Sequence, residues 1–272
     1  MKKILIFVAL IFMTSITANA LDMALYVGRS NDGWYNPAQV RPDGEKIAKG
    51  VRGFKDIQLF EDKDDLKKLQ NWAEKNLKDG ELDIIWLNGC MPSTLYPNPN
   101  AKPNGSLAQQ WLENGNMFIN VADWFAYCTY ETGARGADNG AAGAENILKL
   151  PGIIRSADNT QLAVTNAGKK YLPSLGANVA TWRPVVGGVV KTPWEVAEVF
   201  AGQEGGDMDP CVLYNTDTDS YMVFLRQSAL PADMNRAQNT IEFINNWLPT
   251  RVKFSVEQKG KLTKVWGGIK SK

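Results

Sequence analysis

The sequence contains no histidine in its 272 residues. This absence excludes the Cys-His and Ser-His-Asp mechanisms of nucleophilic catalysis, and it excludes zinc sites built on imidazole ligands. Any general base would have to be an Asp, Glu, Lys or Tyr side chain.

Cysteine is scarce as well. The three cysteines Cys90, Cys128 and Cys211 allow three different single disulfides. If the strands that end near Leu87 and Val121 are neighbours, Cys90 and Cys128 lie at one sheet edge and could form a disulfide. Three buried free thiols are the favoured alternative, because free cysteine packs as a small apolar residue. The thiols indicate no cellular compartment.

Long apolar runs are confined to the amino terminus. Residues 1–20 combine Lys2 and Lys3 with the run ILIFVALIFM and an Ala-Asn-Ala cleavage site, the pattern of a secretory signal peptide. The run of about 10 residues is too short to span a bilayer, and an uncleaved anchor is the alternative. No cysteine follows the cleavage site to accept a lipid. We expect Leu21 to be the first mature residue, and the protein to be secreted or periplasmic with no membrane span after signal removal.

Neither sign of charge is in excess. The formal net charge is +1, from 30 basic and 29 acidic residues. Without Lys2 and Lys3, 28 of the 30 basic residues remain against the 29 acidic ones. Such a balance produces no long-range field for nucleic acid, so we expect no nucleic-acid partner.

Glycine-rich phosphate motifs are absent too. Residues 132–143 are rich in Gly and Ala but contain neither GxGxxG nor GxxxxGK[ST]. This stretch is predicted to be a mobile surface loop. We expect no phosphate cradle, no metal site and no cofactor.

Alternating strand and helix patterns fill the first half of the chain. Strands are predicted at residues 22–28, 55–60, 82–87 and 117–121, and helices at residues 38–51, 62–77 and 107–112. The alternation predicts an α/β fold with a three-layer, doubly wound, mainly parallel sheet in the strand order 2-1-3-4. Residues 21–250 would form this domain.

The second half is less regular. Short strands are predicted at residues 161–164 and 185–190, a hairpin at residues 211–214 and 221–225, and an amphipathic helix at residues 235–248. Residues 251–272 are predicted to be a basic tail that contains a C-terminal β-hairpin. Its lysines would either guard a sheet edge or contact an acidic surface.

Polar and aromatic side chains gather where the predicted parallel strands end, which is where ligands bind in doubly wound sheets. The candidate ligand-binding residues are Arg29, Trp34, Tyr35, Asn88, Cys90, Asp123, Trp124 and Tyr127. Aromatic faces suit a planar or sugar ligand, and polar groups can orient it. Two simpler alternatives remain: Trp34 and Tyr35 cover the sheet end, and Asp123 caps a helix or loop.

Several stretches resemble a known family. They are the run DIIWLNGCMPSTLYPNPNAKPNGSLAQQWLENGNMFINVADWFAYC, then NILKLPGI, KKYLPSL, IEFINNWL and LTKVWGGIK. Together they resemble secreted proteins of the class I glutamine amidotransferase-like superfamily, which includes the trehalose-utilisation-type domains. The resemblance covers nearly the whole mature chain and implies a flavodoxin-like α/β fold.

Catalytic members of that superfamily carry a G-x-C-x-G nucleophile elbow and a later His-Glu pair. In Asn88-Gly89-Cys90-Met91-Pro92, proline stands where the second glycine belongs, and a Pro-rich loop replaces the helix that should follow. A helix N-terminus and an imidazole are what activate such a thiol. Cys90 is therefore not expected to be a nucleophile, and no catalytic residue is assigned.

Two functions remain open at this point. The first is an exported, non-catalytic domain that binds a small molecule, such as a carbohydrate, or a protein partner at the carboxyl edge of its sheet. The second is an atypical hydrolase in which Asp123 works with Glu131 or Lys149 as an acid-base pair. Paired carboxylates in a pocket would favour the enzyme, whereas aromatic side chains around an open groove would favour the binder.

Overall fold

A computed structural model describes residues 21–229 and 235–252. The predicted signal peptide and the predicted C-terminal hairpin lie outside the described residues. The strands are β1 (Leu21–Tyr26), β2 (Phe54–Phe60), β3 (Ile84–Leu87), β4 (Met117–Val121), β5 (Thr160–Ala163), β6 (Asn178–Thr181), β7 (Val185–Val186), β8 (Trp194–Val199), β9 (Asp207–Met208), β10 (Cys211–Asn215) and β11 (Ser220–Leu225). The helices are α1 (Pro37–Gly50), α2 (Asp64–Asn76), α3 (Leu107–Glu113), α4 (Ala142–Leu148), α5 (Asn166–Tyr171) and α6 (Arg236–Glu242).

The main sheet has seven strands in the order β2-β1-β3-β4-β11-β10-β8. Its first five strands are parallel, and β10 runs antiparallel to both β11 and β8. The predicted order 2-1-3-4 and the parallel pairing of β3 with β4 are therefore confirmed. Two-stranded ladders of β5 with β6 and of β7 with β9 lie outside this sheet.

Helices cover both faces of the sheet, as a doubly wound fold requires. Ile84 and Trp86 of β3 pack with the cluster that includes α1 and α6, whereas Ile85 and Leu87 pack with the cluster that includes α2 and α3. All four residues of β3 are buried. A strand that is covered on both faces is apolar along its whole length, so the apolar run at residues 82–87 predicts a central strand.

Local signals explain the two helices that follow β1 and β2. Asn36 caps α1 by accepting a hydrogen bond from the backbone N–H of Ala38, and Pro37 occupies the first turn. Pro42 lies inside α1 but does not end it. Helix α2 buries Leu69, Trp72 and Ala73 at three- and four-residue spacing.

Several predicted elements are wrong in extent. Only Val185–Val186 of the strand predicted at residues 185–190 is a strand, and a 3-10 turn follows it. Helix α4 begins inside the stretch predicted to be a loop at residues 132–143. The helix predicted at residues 235–248 ends as an α-helix at Glu242 and continues as a π-helix, Phe243–Trp247. Within the described residues, no helix is long and apolar enough to cross a membrane.

Candidate functional site

Close backbone contact brings the ends of β3 and β4 together. Gly89 has a φ of +91°, and a Cβ there would lie 2.8 Å from both the backbone N of Asp123 and the carbonyl oxygen of Val121. Only glycine permits that approach without strain. Asn88 connects the end of β3 to the segment after β1, because its Nδ2 donates to the carbonyl of Gly28 at 2.6 Å. The strand ends that were expected to form one edge do meet.

Asp123 lies at the centre of this edge and is fully buried. Its Oδ1 accepts a hydrogen bond from the backbone N–H of Trp124 at 2.8 Å, and its Oδ2 accepts one from Nδ2 of Asn31 at 3.3 Å. Arg183 forms an ion pair with it, with 3.4 Å between Nε and Oδ1. Burial raises the pKa of the Asp123 carboxyl, and the hydrogen bonds and Arg183 only partly offset that effect.

The guanidinium of Arg183 is sandwiched between two indole rings. Its Cζ lies 4.2 Å from the ring centroid of Trp34 and 4.2 Å from that of Trp124. Nη1 donates to the hydroxyl of Ser156 at 3.3 Å and to the carbonyl of Trp182 at 3.2 Å. The aromatic walls expected to hold a ligand therefore enclose a cation of the protein itself. Among the described residues, no hydrogen-bond partner is found for Nη2 of Arg183.

The rim of the edge carries further arginines, each paired with an aspartate. Arg29 pairs with Asp32 at 3.2 Å, and Arg135 pairs with Asp138 at 2.6 Å. The Arg135 guanidinium also lies 4.6 Å from the ring centroid of Tyr127. Because each of these cations has its own counter-charge, the rim is mixed in sign and has no single-sign field.

Trp124 connects this rim to the sandwich. Its ring meets that of Tyr127 edge to face, with 5.2 Å between centroids. Its Nε1 donates to the carbonyl of Arg155 at 3.4 Å, and Arg155 forms an ion pair with Asp207. Four of the predicted site residues, Arg29, Trp34, Trp124 and Tyr127, are exposed or half-buried at this edge.

Tyr35 does not form part of the wall, which corrects the expectation that it would offer a flat face. It is only 2% exposed. Its hydroxyl donates to Oδ2 of Asp43 at 2.5 Å, and the Arg236 guanidinium lies 4.8 Å from its ring centroid. Burial and the Asp43 carboxylate raise the pKa of the phenol. Tyr35 belongs to the core on the α1 and α6 side of the sheet.

Asn88 and Cys90 also lie beneath the surface, each 1% exposed. Asn88 holds the turn, since its Oδ1 accepts from the backbone N–H of Cys90 at 3.1 Å. Both residues contribute to the shape of the edge and expose almost no surface to a ligand.

The environment of Cys90 is unlike that of an activated thiol. The Met91 N–H, which would serve an oxyanion next to such a nucleophile, donates to the carbonyl of Cys128 at 2.9 Å. A hydrogen bond with Cys128 and burial raise the pKa of the Cys90 thiol. Helix α3 begins only at Leu107. Cys90, Cys128 and Cys211 are all free and buried.

The acid-base partners considered for Asp123 are engaged elsewhere. Glu131 accepts from the Ser93 backbone N–H at 2.5 Å and from the Ser93 hydroxyl at 2.7 Å. Lys149 pairs with Glu113 at 3.0 Å. Glu113 precedes β4 and Asp123 follows it, so the five residues of that strand separate them by about 16 Å. Lys149 therefore lies at the opposite edge of the sheet.

A buried polar network supports the site from below. Asn120 donates to the backbone carbonyl of Asp123 at 2.8 Å and to Oε1 of Gln227 at 3.2 Å. Gln227 in turn donates to the Arg183 carbonyl at 2.8 Å, and its backbone N–H donates to Oδ2 of Asp209 at 2.9 Å. Sequence reasoning missed Arg183, Gln227 and Asp209, because these residues lie in irregular or turn segments without a motif.

Cavities are found away from this edge. One of about 170 Å³ lies at the opposite edge and is lined by Lys149, Trp194 and residues of the β10–β11 turn. Another lies between α2 and the Pro-rich loop. Within residues 21–229 and 235–252, no cluster of three or more Cys, Asp or Glu side chains is placed to hold a metal ion.

The strand order and the helical layers define a doubly wound α/β protein. No family model matches the chain, and no curated protein matches it at a significant level. Among solved structures, it is similar to a "putative ThuA-like protein" from Parabacteroides merdae. The TM-score is 0.36 and the identity 10%, over 84% of this chain and 88% of that chain. A likeness of that size carries no argument about function.

Proposed function

We propose that the chain is an exported, non-catalytic domain of the glutamine amidotransferase-like type, which binds a small anionic molecule such as an acidic sugar at the carboxyl edge of its sheet. The observation that carries the proposal is the Arg183 guanidinium, held 4.2 Å from each of two indole rings. A carboxylate, sulfate or phosphate of the ligand would accept from its Nη2.

Arg183 has the features of a preorganised anion receptor. Its side chain is 15% exposed, so the cation is largely desolvated yet reachable. Stacking on Trp34 and Trp124 fixes the plane of the guanidinium, and a fixed fork loses little entropy on binding. Asp123 accepts a hydrogen bond from Nε of Arg183, so Nη2 on the other side of the guanidinium is left for a ligand. Only the face of the Tyr127 ring that the Arg135 guanidinium does not cover is left for the apolar face of a sugar ring.

Three features support the absence of catalysis at this edge. The chain contains no histidine, the Met91 N–H is bonded to Cys128, and neither Glu131 nor Lys149 is paired with Asp123. A Cys-dependent mechanism therefore lacks its base and its oxyanion donor, and neither partner considered for Asp123 is available to a carboxylate-dependent one.

Calorimetric titration of the chain starting at Leu21 with D-glucuronate, D-glucose and trehalose tests the ligand class. We expect saturable binding of glucuronate and weaker binding of the two neutral sugars. Arg183→Gln should weaken glucuronate binding by about tenfold to a hundredfold, the equivalent of one charged hydrogen bond. Arg155→Gln is the matched control, since Arg155 is an exposed arginine of the same edge with its own counter-charge.

Thermal unfolding of both variants must accompany the titration, because Arg183→Gln leaves the Asp123 carboxylate buried without its cation. Equal affinities of wild type and Arg183→Gln for glucuronate, with both folded, would contradict the proposed receptor. Tighter binding of glucose or trehalose than of glucuronate would contradict an anionic ligand and would leave only the proposal that the ligand is a carbohydrate.

One observation favours the alternative hydrolase. Burial raises the pKa of Asp123, as a general acid requires. If a panel of chromogenic glycosides and esters reveals turnover, Asp123→Asn should reduce kcat by about a hundredfold or more. Turnover that survives Asp123→Asn would exclude this residue as the acid.

Export is a separate part of the proposal, supported by the charge and apolar pattern of residues 1–20. Intact-mass analysis of protein recovered from the periplasm or medium of an expressing bacterium should give a chain that starts at Leu21. A recovered species that retains residues 1–20 would contradict it.

A further inference from the structure

The buried carboxylate of Asp83 and the half-buried carboxylate of Asp22 lie at the amino edge of the sheet, opposite the candidate ligand site. The Asp83 side chain, at the entry to β3, is 1% exposed, and its Oδ1 accepts from the backbone N–H of Asp22 at 2.7 Å. Its Oδ2 is buried without a hydrogen-bond partner, and so is Oδ1 of Asp22. Buried carboxylate oxygens without donors are rare and require an explanation.

The surrounding charges favour a cation at this position. The ionisable groups that act on the pair are Lys55 and Asp56 of β2, Lys75 of α2, and Asp79 and Glu81 of the turn before β3. With Asp22 and Asp83 themselves, five acids face two lysines. The two lysines do not supply a donor to either unpartnered oxygen.

Leu21 immediately precedes the residue whose backbone N–H donates to Asp83. It is the first residue of β1, and its fully buried side chain anchors it in register with Phe54 of β2. Covalent geometry puts successive backbone nitrogens within about 3.7 Å. Because the Asp22 nitrogen is 2.7 Å from Oδ1 of Asp83, the Leu21 nitrogen lies at most about 6.4 Å from that oxygen. This upper bound is close to the outer limit of about 6 Å at which an opposite charge favours the ionised form of a carboxyl.

We propose that the α-ammonium group of Leu21, released when the Ala20–Leu21 peptide bond is hydrolysed, binds between the carboxylates of Asp22 and Asp83 and so stabilises the mature fold. Hydrolysis adds one water: the carbonyl carbon of Ala20 becomes a carboxylate, and the Leu21 amine takes up the proton. The uncleaved amide offers one neutral N–H at most, whereas the ammonium offers three donors and a positive charge. The inference rests on the proposed cleavage and is independent of ligand binding.

The pair has a defined pH signature. Burial, chiefly, raises the pKa of Asp83 to about 7 while Leu21 is an amide. A raised carboxyl pKa means that stability is complete below pH 4 and is lost as the pH rises towards 7. A nearby ammonium favours the ionised carboxylate, so the mature chain should lose less stability over this window. The advantage should end above the pKa of the amine, when its charge is lost.

Two proteins with defined amino termini test the proposal. One starts at Leu21, released from a fusion by a protease that leaves no extra residue, and the other starts at Asn19 and carries its ammonium two residues further away. Melting temperatures are measured from pH 4 to pH 10. We expect the Leu21 form to melt about 3 °C higher or more near pH 7, equivalent to one ion pair of moderate strength. The two forms should converge at pH 4 and pH 10.

The α-amino pKa provides a direct measurement that does not depend on unfolding. Competitive labelling with an acylating reagent, read by mass spectrometry across pH, should give the Leu21 amine a pKa about one unit or more above the ordinary 7.7–8.0. Asp83→Asn should return it to that range and remove the difference in melting temperature. Asp158→Asn, at an exposed carboxylate before β5, is the matched control and should change neither quantity.

Equal melting temperatures of the two forms throughout the pH range, or an α-amino pKa of 7.7–8.0 in the folded Leu21 form, would overturn the proposal. If Asp83→Asn fails to fold, the amine pKa of the wild-type chain decides alone. Because both amino termini are made in vitro, a negative result here is separable from a failure of export or of ligand binding.

Discussion

The backbone N–H of Met91 donates a hydrogen bond to the carbonyl oxygen of Cys128 at 2.9 Å. This bond joins the loop after β3 to the loop after β4. It also occupies the donor that an oxyanion beside Cys90 would need. This hydrogen bond therefore contributes to the shape of the candidate site. It also argues against a catalytic role for the Cys90 thiol.

Cys90→Ala should leave the protein folded and its ligand affinity within a few-fold of wild type. The side chain is buried and makes no contribution to the accessible edge, so the variant loses only packing, about 1 kcal/mol or a fall of about 2–4 °C in melting temperature. Cys211→Ala in β10 is the matched buried control. If a substrate is found and Cys90→Ala lowers its turnover about a hundredfold, the proposal of a non-catalytic binding domain is wrong and the protein is an enzyme.

The three thiols should be protected in the native protein and all free after unfolding. Cys90 and Cys128 are hydrogen-bonded to each other, and burial raises the pKa of both Cys90 and Cys211. A low thiolate fraction and burial both slow alkylation. Iodoacetamide followed by intact mass should give no label under native conditions and three labels in guanidinium. One label in guanidinium, with a mass lower by two hydrogens before labelling, would show that two of the three cysteines form a disulfide, and peptide mapping would then test whether they are Cys90 and Cys128.

Gly89→Ala should destabilise the fold far more than Gly80→Ala. Both glycines have positive φ, +91° and +82°, so both variants carry the strain of a left-handed alanine, about 1 kcal/mol. Only at Gly89 would the new Cβ meet backbone atoms, at 2.8 Å, whereas nothing lies within 4 Å at Gly80. Urea unfolding should give Gly89→Ala at least twice the loss of Gly80→Ala. Equal losses would show that the two strand ends are not in close contact.

Asp209→Asn should flatten the decline of stability between pH 4 and pH 6. Burial raises the pKa of Asp209 to about 6, and bonds from Thr181 and Gln227 and the charge of Arg226 offset this only in part. Because the folded pKa lies above the unfolded one, this group's stability is complete below pH 4 and is lost as the pH rises through 6.

The loss attributable to Asp209 is about 3 kcal/mol, because its pKa rises from the ordinary value of about 3.9 to about 6 on folding. The free energy of unfolding in urea, measured for wild type and variant at pH 4, 5, 6 and 7, should therefore show a difference that changes over this interval. Asp217 is an exposed carboxylate of the β10–β11 turn. The free energy of unfolding of Asp217→Asn should therefore change with pH in parallel with that of wild type. A parallel curve for Asp209→Asn would refute the raised pKa.

The fold class could be derived from local patterns. Burial of a whole strand gives a continuous apolar run, as in residues 84–87. Burial of one helix face gives apolar residues at three- and four-residue spacing, as in Leu69, Trp72 and Ala73. Those patterns follow from periodicity, which a single sequence contains. The right-handed crossover of parallel strands then leaves few strand orders, and 2-1-3-4 was among them.

The site could be derived only in part. Its place at the strand ends followed from the fold class, and Asp123, Trp34, Trp124 and Tyr127 do lie there. Which side chains are accessible did not follow. Tyr35, next to Trp34 in the chain, turns into the core to reach Asp43, and sequence adjacency cannot separate those two outcomes.

Local sequence thus determined the strands and helices of the first half, the parallel order of the sheet and the absence of imidazole chemistry, because each depends on composition or on short-range periodicity. Only the tertiary structure decided that Arg183 fills the space between Trp34 and Trp124, that Lys149 lies at the far edge, and that the Asp22 backbone donates to the Asp83 carboxylate. Arg183 and Asp123 are 60 residues apart in the chain. Contacts at that separation arise from the packing of whole elements, and no local pattern encodes them.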